Sequence, residues 1–468
     1  MKRHFSKKLL LVATLGAVPA VAYAQFDPEP HRAAATQLIR SAVADSFAYR
    51  RLARLVDGFG HRMSGSESLE RAIDWVVDEM KRDGFENAHK EPVTVTRWVR
   101  GAESAELLSP RRAKIHMLGL GRSVGTPEEG IRAPVLVVKS FADLRARSAD
   151  ARGKIVLYNV PFDTTVASFV GYGRAVVYRA VGADSASQFG AQAALVRSVT
   201  PHSLRSPHTG GMAPYDTTGR LRRIPAAAIS VEDAEMLQRM QDRGDRIEVQ
   251  LTMGARTLMP ARSHNVVVEI RGSEKPDEVI VMGGHIDSWD VGQGAMDDGG
   301  GCVAAWEALR RIKQLGVRPK RTIRVVLWTN EEIGLAGATA YRDAHRAEAD
   351  KHVLAMESDN GVFAPKGLQF GGTPEGLATM KRVATLLTEA GVDSAFAGGP
   401  EADVSPLYAL GVPVANIYTD GSRYFWYHHS DADMIDKLDP VDLAKNAAIL
   451  AVVAYTVANM DGTLPRVK

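Results

Sequence analysis

The chain has 468 residues, 45% of them apolar, a formal charge of +3 and a single cysteine, Cys302. That length and apolar fraction exceed the needs of one typical domain, so two domains or one domain with an insertion are expected. One cysteine excludes an intrachain disulfide framework, and any metal site must be built from His, Asp and Glu.

Residues 1–24 are set aside from the fold. Lys2, Arg3, Lys7 and Lys8 precede the apolar run 9–21 and then Ala22-Tyr23-Ala24, which reads as a secretory signal cut before Gln25. The run is short for a membrane span and is broken by Gly16 and Pro19. Losing four basic residues takes the formal charge from +3 to −1, so the basicity belongs to export and nucleic acid is not an expected partner. The expectation is an exported protein, periplasmic or extracellular, with no membrane attachment after cleavage and no second run of spanning length.

A helical pattern covers residues 31–58, with Leu38, Ile39, Val43, Phe47, Leu52 and Leu55 at helix-compatible spacing and Gly58 and Gly60 as the stop. Ser64-Gly65-Ser66 caps a second helix whose stripe is Leu69, Ile73, Val76, Val77 and Met80, ended by Gly84. Residues 92–98 and 113–118 read as strands. From 119 to 259 the texture changes to short strands, glycines and arginine-rich loops: strands are expected at 134–138, 154–158, 193–196, 226–229 and 247–251, with a helix at 231–243. This stretch lacks a dense cluster of His and carboxylates and reads as an inserted, mostly β domain, a lid or a contact surface. Beyond it, buried-strand patterns at 265–270, 279–282, 322–328, 352–356 and 412–417 alternate with helical patterns at 302–315, 335–345, 374–390, 405–410 and 441–460. That alternation argues an α/β fold, a doubly wound, mostly parallel sheet completed by the N-terminal helices. The expected division is 1–24 signal, 25–118 first part of the main domain, 119–259 insertion, and 260–468 the part that carries chemistry.

Residues 279–302 are the centre of the reading. The apolar run 279–282 enters Gly283-Gly284 and delivers His285 and Asp287 to the carboxyl edge of a sheet; Asp297-Asp298 and three glycines follow before the next helix. Ligands bind at that edge in open α/β sheets, and a His with nearby carboxylates is a donor set for a divalent metal. The bland alternative is a glycine-rich loop with ordinary turn aspartates. Strand 322–328 leads to Glu331-Glu332, whose neighbouring side chains can diverge, one to a metal and one to a water; acids at a helix N-terminus are favoured by its dipole in any case. Strand 352–356 leads to Glu357-Ser358-Asp359-Asn360-Gly361, and Tyr424-Phe425-Trp426-Tyr427 leads to His428-His429, a segment also readable as an interface patch. Four separate strand ends each offering an acid or imidazole outweigh the bland readings taken one at a time.

In order and spacing, H-I-D-S-W-D-V-G-Q-G-A-M-D-D-G, N-E-E-I-G-L, M-E-S-D-N-G and Y-H-H-S-D-A-D resemble the co-catalytic di-zinc aminopeptidase and glutamate carboxypeptidase family. Phe370-Gly371-Gly372 and His428-His429-Ser430 look most like its plasma-type glutamate carboxypeptidase branch, and G-H-R-M-S-G-S-E near residue 61 extends the likeness over nearly the whole mature chain. The resemblance implies a zinc exopeptidase fold with a protease-associated-type insertion, and an enzyme, a metallopeptidase, acting on short peptides. It implies two Zn²⁺ per chain: His285 and Asp359 on one, Glu332 and His429 on the other, Asp297 bridging. Glu331 matches the general base, Asp287 the acid behind His285, and Asp403 a position near the site. His429 is chosen over His428 because Asp433 then completes the family's H-x-x-x-D pattern. A homodimer is left open.

Four other readings compete. Gly121-Arg122-Ser123-Val124-Gly125 matches G-x-S-x-G, but a nucleophile elbow needs a helix at once, and Pro127, Gly130 and Pro134 forbid one; the same absence of a helix defeats 119–121 as a dinucleotide loop. A noncatalytic binding module on this fold conflicts with the intact ligand set. A glutaminyl cyclase on the same fold would hold one zinc.

Overall fold

The computed structural model describes residues 26–214 and 221–467. The expected signal segment and its cleavage point before Gln25 lie outside them.

Two eight-stranded sheets organise the chain. The first runs, edge to edge, His89–Val95, Ala261–Ile270, Arg321–Trp328, Lys275–His285, His352–Glu357, Val414–Thr419, Pro365–Gly371 and Ala395–Ala397. Its four central strands, Arg321–Trp328 through Val414–Thr419, are parallel, while Ala261–Ile270 and Pro365–Gly371 bound them antiparallel. The sheet is therefore mixed, with a parallel centre, rather than mostly parallel throughout. One cause is chain length: Ala261–Ile270 and Lys275–His285 are separated only by residues 271–274, too few for a parallel crossover, so direction must reverse there. Another is burial. Pro365–Gly371, which pairs antiparallel with Val414–Thr419, lacks the continuous apolar run that marks the central strands.

Alternation along Lys275–His285 sorts the cores on the two faces. Ile280 and Met282 point to the cluster that includes helices Gly300–Gln314 and Pro440–Asn459, whereas Val279 and Val281 join Ala338, Tyr341 and Leu407 on the other. Asp439 starts Pro440–Asn459 by accepting the Val441 and Asp442 N–H groups. This helix is long and apolar enough to cross a membrane, against the expectation that no second run reaches that length. It is apolar all round because it is a core helix, with Leu443, Ala447, Leu450, Ala454 and Val457 buried.

The helical stretch expected at 31–58 is two helices, Arg32–Val43 and Phe47–Phe59. Asp45 interrupts it, accepting the Phe47 N–H at 2.7 Å and pairing with Arg311 at 2.9 Å, so the local carboxylate displaces a helical turn. The second helix, Glu67–Arg82, begins where Ser66 accepts the Leu69 N–H, as its sequence implies.

The second sheet runs Ala113–Ile115, Glu103–Ser109, Glu248–Met253, Ile131–Val138, Ile155–Tyr158, Ala193–Arg197, Ala226–Ile229 and Met117–Gly119. It draws in strands from residue 103 onward, so it takes residues that the sequence division placed before 119. Strands Ile131–Val138, Ile155–Tyr158, Ala193–Arg197 and Ala226–Ile229 are parallel, and the first two connections run through helices, the longest Ser168–Ser187, so this unit is α/β instead of mostly β. Gly171, Gly173 and Gly182, with four valines, lower the helix propensity of Ser168–Ser187 and hide it from a pattern search. Where the chain leaves the first sheet and returns to it, Trp98–Val99 and Arg256–Thr257 pair as a small ribbon.

Candidate metal centre

The four parallel strands at the middle of the first sheet end on one edge. Lys275–His285 ends in His285 itself, which lies opposite Trp328, and Gly283 lies opposite Glu357. Two to four residues past Trp328 and Glu357 come Glu331, Glu332 and Asp359. The fourth strand, Val414–Thr419, reaches the same edge through the short helix Tyr424–Tyr427 and then His428-His429.

Asp297 arrives from the side, at the turn into helix Gly300–Gln314. That helix can approach the strand ends only because a Cβ on Gly284 would collide with the Asp298 carboxylate. Asp298 accepts the His285 N–H at 3.0 Å and the Gly301 N–H at 3.1 Å. Asp433 accepts the N–H groups of Ala295, Met296 and Asp297 at 3.1, 2.7 and 3.2 Å, so four residues after His429 the chain grips the loop that carries Asp297. Arg62, fully buried, donates to the carbonyls of Ile286, Gln293 and Gly294 at 2.7–2.8 Å and fixes the rest of that loop.

The two oxygens of Asp297 face different groups. Oδ1 stands 3.1 Å from His285 Nε2, which is 3.4 Å from Asp359 Oδ1. Oδ2 stands 3.2 Å from His429 Nε2, which is 3.2 Å from Glu332 Oε2. Two donors each about 2.0–2.1 Å from a tetrahedral ion stand about 3.3 Å apart, so each of these four contacts has the spacing of a ligand edge. Among the described residues His285, Asp297 and Asp359 bring ligand atoms within 4.8 Å of one another, and so do Asp297, His428 and His429, while Glu332 joins through its contact with His429. Asp297 Oδ2, Glu332 Oε1 and Asp359 Oδ1 are buried without hydrogen-bond partners, as expected of atoms aimed at a cation. His428 also reaches Asp297 Oδ2, at 3.6 Å, and stacks on His429 with ring centroids 3.4 Å apart; His429 is the imidazole that meets both Asp297 and Glu332. His429 holds φ +60°, a strained backbone for a non-glycine residue.

Burial opposes ionisation at Asp297, yet His285 and His429 on either side hold its carboxyl well below the usual range. Around it the acids crowd. Burial, then Asp359, Asp297 and Asp287, push the Glu331 carboxyl up to about 8 against the pull of His285, and burial followed by Asp297 raises Glu332. Bound cations would reverse this balance.

Asp287 sits behind His285, but its carboxylate accepts the Glu331 N–H at 3.1 Å; the His285 Nδ1 meets the Asp287 backbone carbonyl at 3.0 Å and the carboxylate only at 3.8 Å. Asp287 therefore ties the His285 and Glu331 strand ends together. Asp403 is buried with neither carboxylate oxygen hydrogen-bonded, and burial, then Glu331, raise its carboxyl. Its own N–H is held by Glu357 at 2.8 Å.

The second-sheet unit closes the site. Thr209 N–H donates to the His429 carbonyl at 2.9 Å, and the His208 ring nitrogen lies 2.6 Å from the His428 carbonyl. Trp289 packs on His429. Tyr172, Arg179 and Met212 from this unit join Asp297, Glu331, Glu332, Asp359, His428 and His429 around a cavity of about 550 Å³. A larger cleft, about 840 Å³ around His31, Arg382 and Tyr455, holds none of these acids or imidazoles. Arg62 lies in the G-H-R-M-S-G-S-E stretch, but neither that motif nor the local sequence of Thr209 and Arg179 reveals contacts made with residues far along the chain. Ser123 of the G-x-S-x-G match is buried in the second unit, its hydroxyl accepting from the Ala226 N–H.

Residues 265–454 match the model of peptidase family M28. The chain is 49% identical to carboxypeptidase Q of Xenopus laevis over 423 residues, 90% of this chain and 88% of that one. Among solved structures, a peptidase M28 precursor from Shewanella amazonensis superposes with TM-score 0.89 at 35% identity, covering 94% of this chain and all of that one. A zinc aminopeptidase from Bacillus subtilis shares the fold, with TM-score 0.62 at 20% identity over 88% of this chain and 94% of its own.

Proposed function

The chain belongs to peptidase family M28 and is a metallopeptidase, and from that premise we propose that it is an exported di-zinc exopeptidase acting on short peptides, chiefly unblocked dipeptides. The observation that carries the reading is the split of Asp297 between two donor groups, His285 with Asp359 and His429 with Glu332. These are hard and borderline donors suited to zinc, with one carboxylate shared. Bound zinc supplies polarisation of the scissile carbonyl and a water acidified to near neutral pH.

Glu331 is the general base. It lines the cavity beside the two donor groups without belonging to either, and its backbone is held by Asp287. It takes the proton of the attacking water and returns it to the leaving amine. Asp287 is a positioning residue that fixes His285 and Glu331 relative to one another. Asp433 and Arg62 hold the loop of Asp297, and Thr209 holds His429.

The size limit comes from the second unit, which we read as a protease-associated-type lid. Its Tyr172, Arg179 and Met212 leave a cavity suited to a small ligand. Glu401, on the same cavity wall and outside both donor groups, suits a free amino terminus. Export and cleavage before Gln25 rest on residues 1–24. The experiment is a panel of dipeptides, N-acetyl dipeptides and longer peptides assayed with and without added zinc. Free dipeptides are expected to be turned over about a thousandfold faster than N-acetylated ones, because a blocked terminus leaves a buried acid unpaired. Equal rates would replace this reading with a glutamate-carboxypeptidase-like one, and rapid cleavage of longer free peptides with an aminopeptidase. Absence of turnover at full metal content would favour the noncatalytic module.

A further inference from the structure

The stretch Gly121-Arg122-Ser123-Val124-Gly125 has no part in the chemistry, yet it lies where the inserted unit meets the metal centre. Gly121 packs on the Trp289 ring, which a Cβ there would strike. Its N–H donates to the Gly210 carbonyl at 3.0 Å, and its carbonyl accepts the Met212 N–H at 3.1 Å. The Ser123 carbonyl accepts the Trp98 indole N–H at 2.9 Å. Between them Arg122 holds φ +68°, in the left-handed region that an arginine rarely adopts. Its guanidinium is half-buried and, among the described residues, has no carboxylate within ion-pair distance. It donates instead to two carbonyls, from Nη1 to Met212 at 2.8 Å and from Nη2 to Ile333.

Those two carbonyls belong to different units. Met212 lies on the stretch of the inserted unit whose Thr209 holds His429, and Ile333 directly follows Glu331 and Glu332. Both stretches line the cavity, Met212 and Pro214 from one unit and Ile333 and Leu335 from the other. The turn around Ile333 is itself strained, with Asn330 at φ +70° and Leu335 at φ +57°. Non-glycine residues stay in that region only where their surroundings fix them. Ser64 holds the Asn330 side chain at 2.7 Å and Asp287 accepts the Glu331 N–H at 3.1 Å, both from the first unit. Arg122 brings the matching hold from the inserted unit. A rigid fork suits the task, because separate N–H groups of one plane reach both carbonyls at once.

Building on the short-peptide reading, we propose that Arg122 sets the length of peptide the cavity admits, by tying the inserted unit at Met212 to the Glu331-Glu332-Ile333 turn and so keeping the gap between the units shut. It acts through Met212 and Ile333 and touches no reacting atom. A round cavity of about 550 Å³ is about 10 Å across, room for an extended dipeptide of about 7 Å and short of a tetrapeptide at up to about 14 Å. The longer chain has to part the two units to be admitted.

The test compares kcat/KM for a free dipeptide and for the free tetrapeptide that begins with the same two residues, in the wild type, Arg122→Gly, Arg122→Lys and the control Arg132→Gln. Glycine accepts φ +68° without strain, so Arg122→Gly removes the fork and leaves the backbone turn intact. Arg132 is an exposed arginine of the same unit, paired with Glu248 at 2.9 Å. Zinc content is measured for each protein. The wild type is expected to prefer the dipeptide by about a hundredfold, the worth of the charged hydrogen bonds that the tetrapeptide has to break. In Arg122→Gly the tetrapeptide should gain about tenfold or more, mainly through a lower KM, and Arg132→Gln should keep the wild-type ratio. A damaged fold lowers both rates and gives no such gain. An unchanged ratio in zinc-loaded Arg122→Gly, a ratio that falls only because the dipeptide slows, or the same gain in Arg132→Gln each overturn the role of Arg122 and leave the short-peptide reading standing. If Arg122→Gly does not fold, Arg122→Lys decides, since an ammonium is a point charge without the planar fork. A gain on the tetrapeptide there supports the proposal, and an unchanged ratio overturns it. If the wild type cleaves both peptides equally fast, the size limit is absent and the short-peptide reading fails together with the proposal.

Discussion

Replacing Glu331 by Gln separates catalysis from stability and moves them in opposite directions. Gln keeps the size of the side chain and removes only its capacity to take a proton. Loss of a positioned general base costs about 10²- to 10⁴-fold, or about 3–5 kcal/mol of barrier. The stability effect follows from burial. In the metal-free chain the Glu331 carboxyl lies at about 8, against an ordinary value of 4.5. An acid whose folded value is raised binds more protons folded than unfolded, so stability is lost as pH rises from about 4.5 to about 8. At pH 7 the loss is about 3 kcal/mol, and the neutral amide escapes it. For a chain of this length that is a rise in Tm of roughly 3 °C. Turnover of a dipeptide by the zinc-loaded variant, and calorimetry of the metal-stripped variant at pH 5 and pH 7, measure the two effects. Near-wild-type turnover at full zinc would refute the base. A Tm unchanged at pH 7, or a gain no larger there than at pH 5, would refute the electrostatic argument.

Asp433→Asn offers one acceptor oxygen where three N–H groups now converge, so zinc affinity should fall about ten- to a hundredfold in a competition titration; unchanged affinity would show that the Asp297 loop needs no such grip. Arg62→Met strands the buried carbonyls of Ile286, Gln293 and Gly294 and should cost about 3 kcal/mol or more in denaturant unfolding. The exported protein should begin at Gln25, and N-terminal mass analysis that finds residues 1–24 retained would reject the signal reading.

The parallel centre of the first sheet was legible because each of its strands is an apolar run ending in a short polar cluster. His285, Glu331, Glu332, Asp359 and His429 follow those runs, and their meeting is a consequence of four neighbouring strands pointing one way. Asp297 was visible through its spacing from His285 and the glycines after it. Pro365–Gly371 and the edge strand Ala395–Ala397 were not, since the first mixes Lys366 and Gln369 with glycines and the second is only three residues long, so neither carries a distinctive period. The second unit was legible only in part. Its strands 103–119 look like a continuation of the preceding ones, and their membership of another sheet depends on pairing with Glu248–Met253 and Ala226–Ile229, more than a hundred residues on. The same distance conceals the contacts of Arg179, Thr209 and Arg62, whose importance lies in what they touch.

The central claim is that two zinc ions work between His285, Asp297, Asp359, Glu332 and His429. The most direct measurement is a titration of the metal-stripped chain with zinc, followed at once by bound metal and by dipeptide turnover. Two equivalents bound per chain, with turnover restored as the second fills, is the predicted result. A single equivalent that restores full turnover, or turnover that survives removal of the metal, would contradict it.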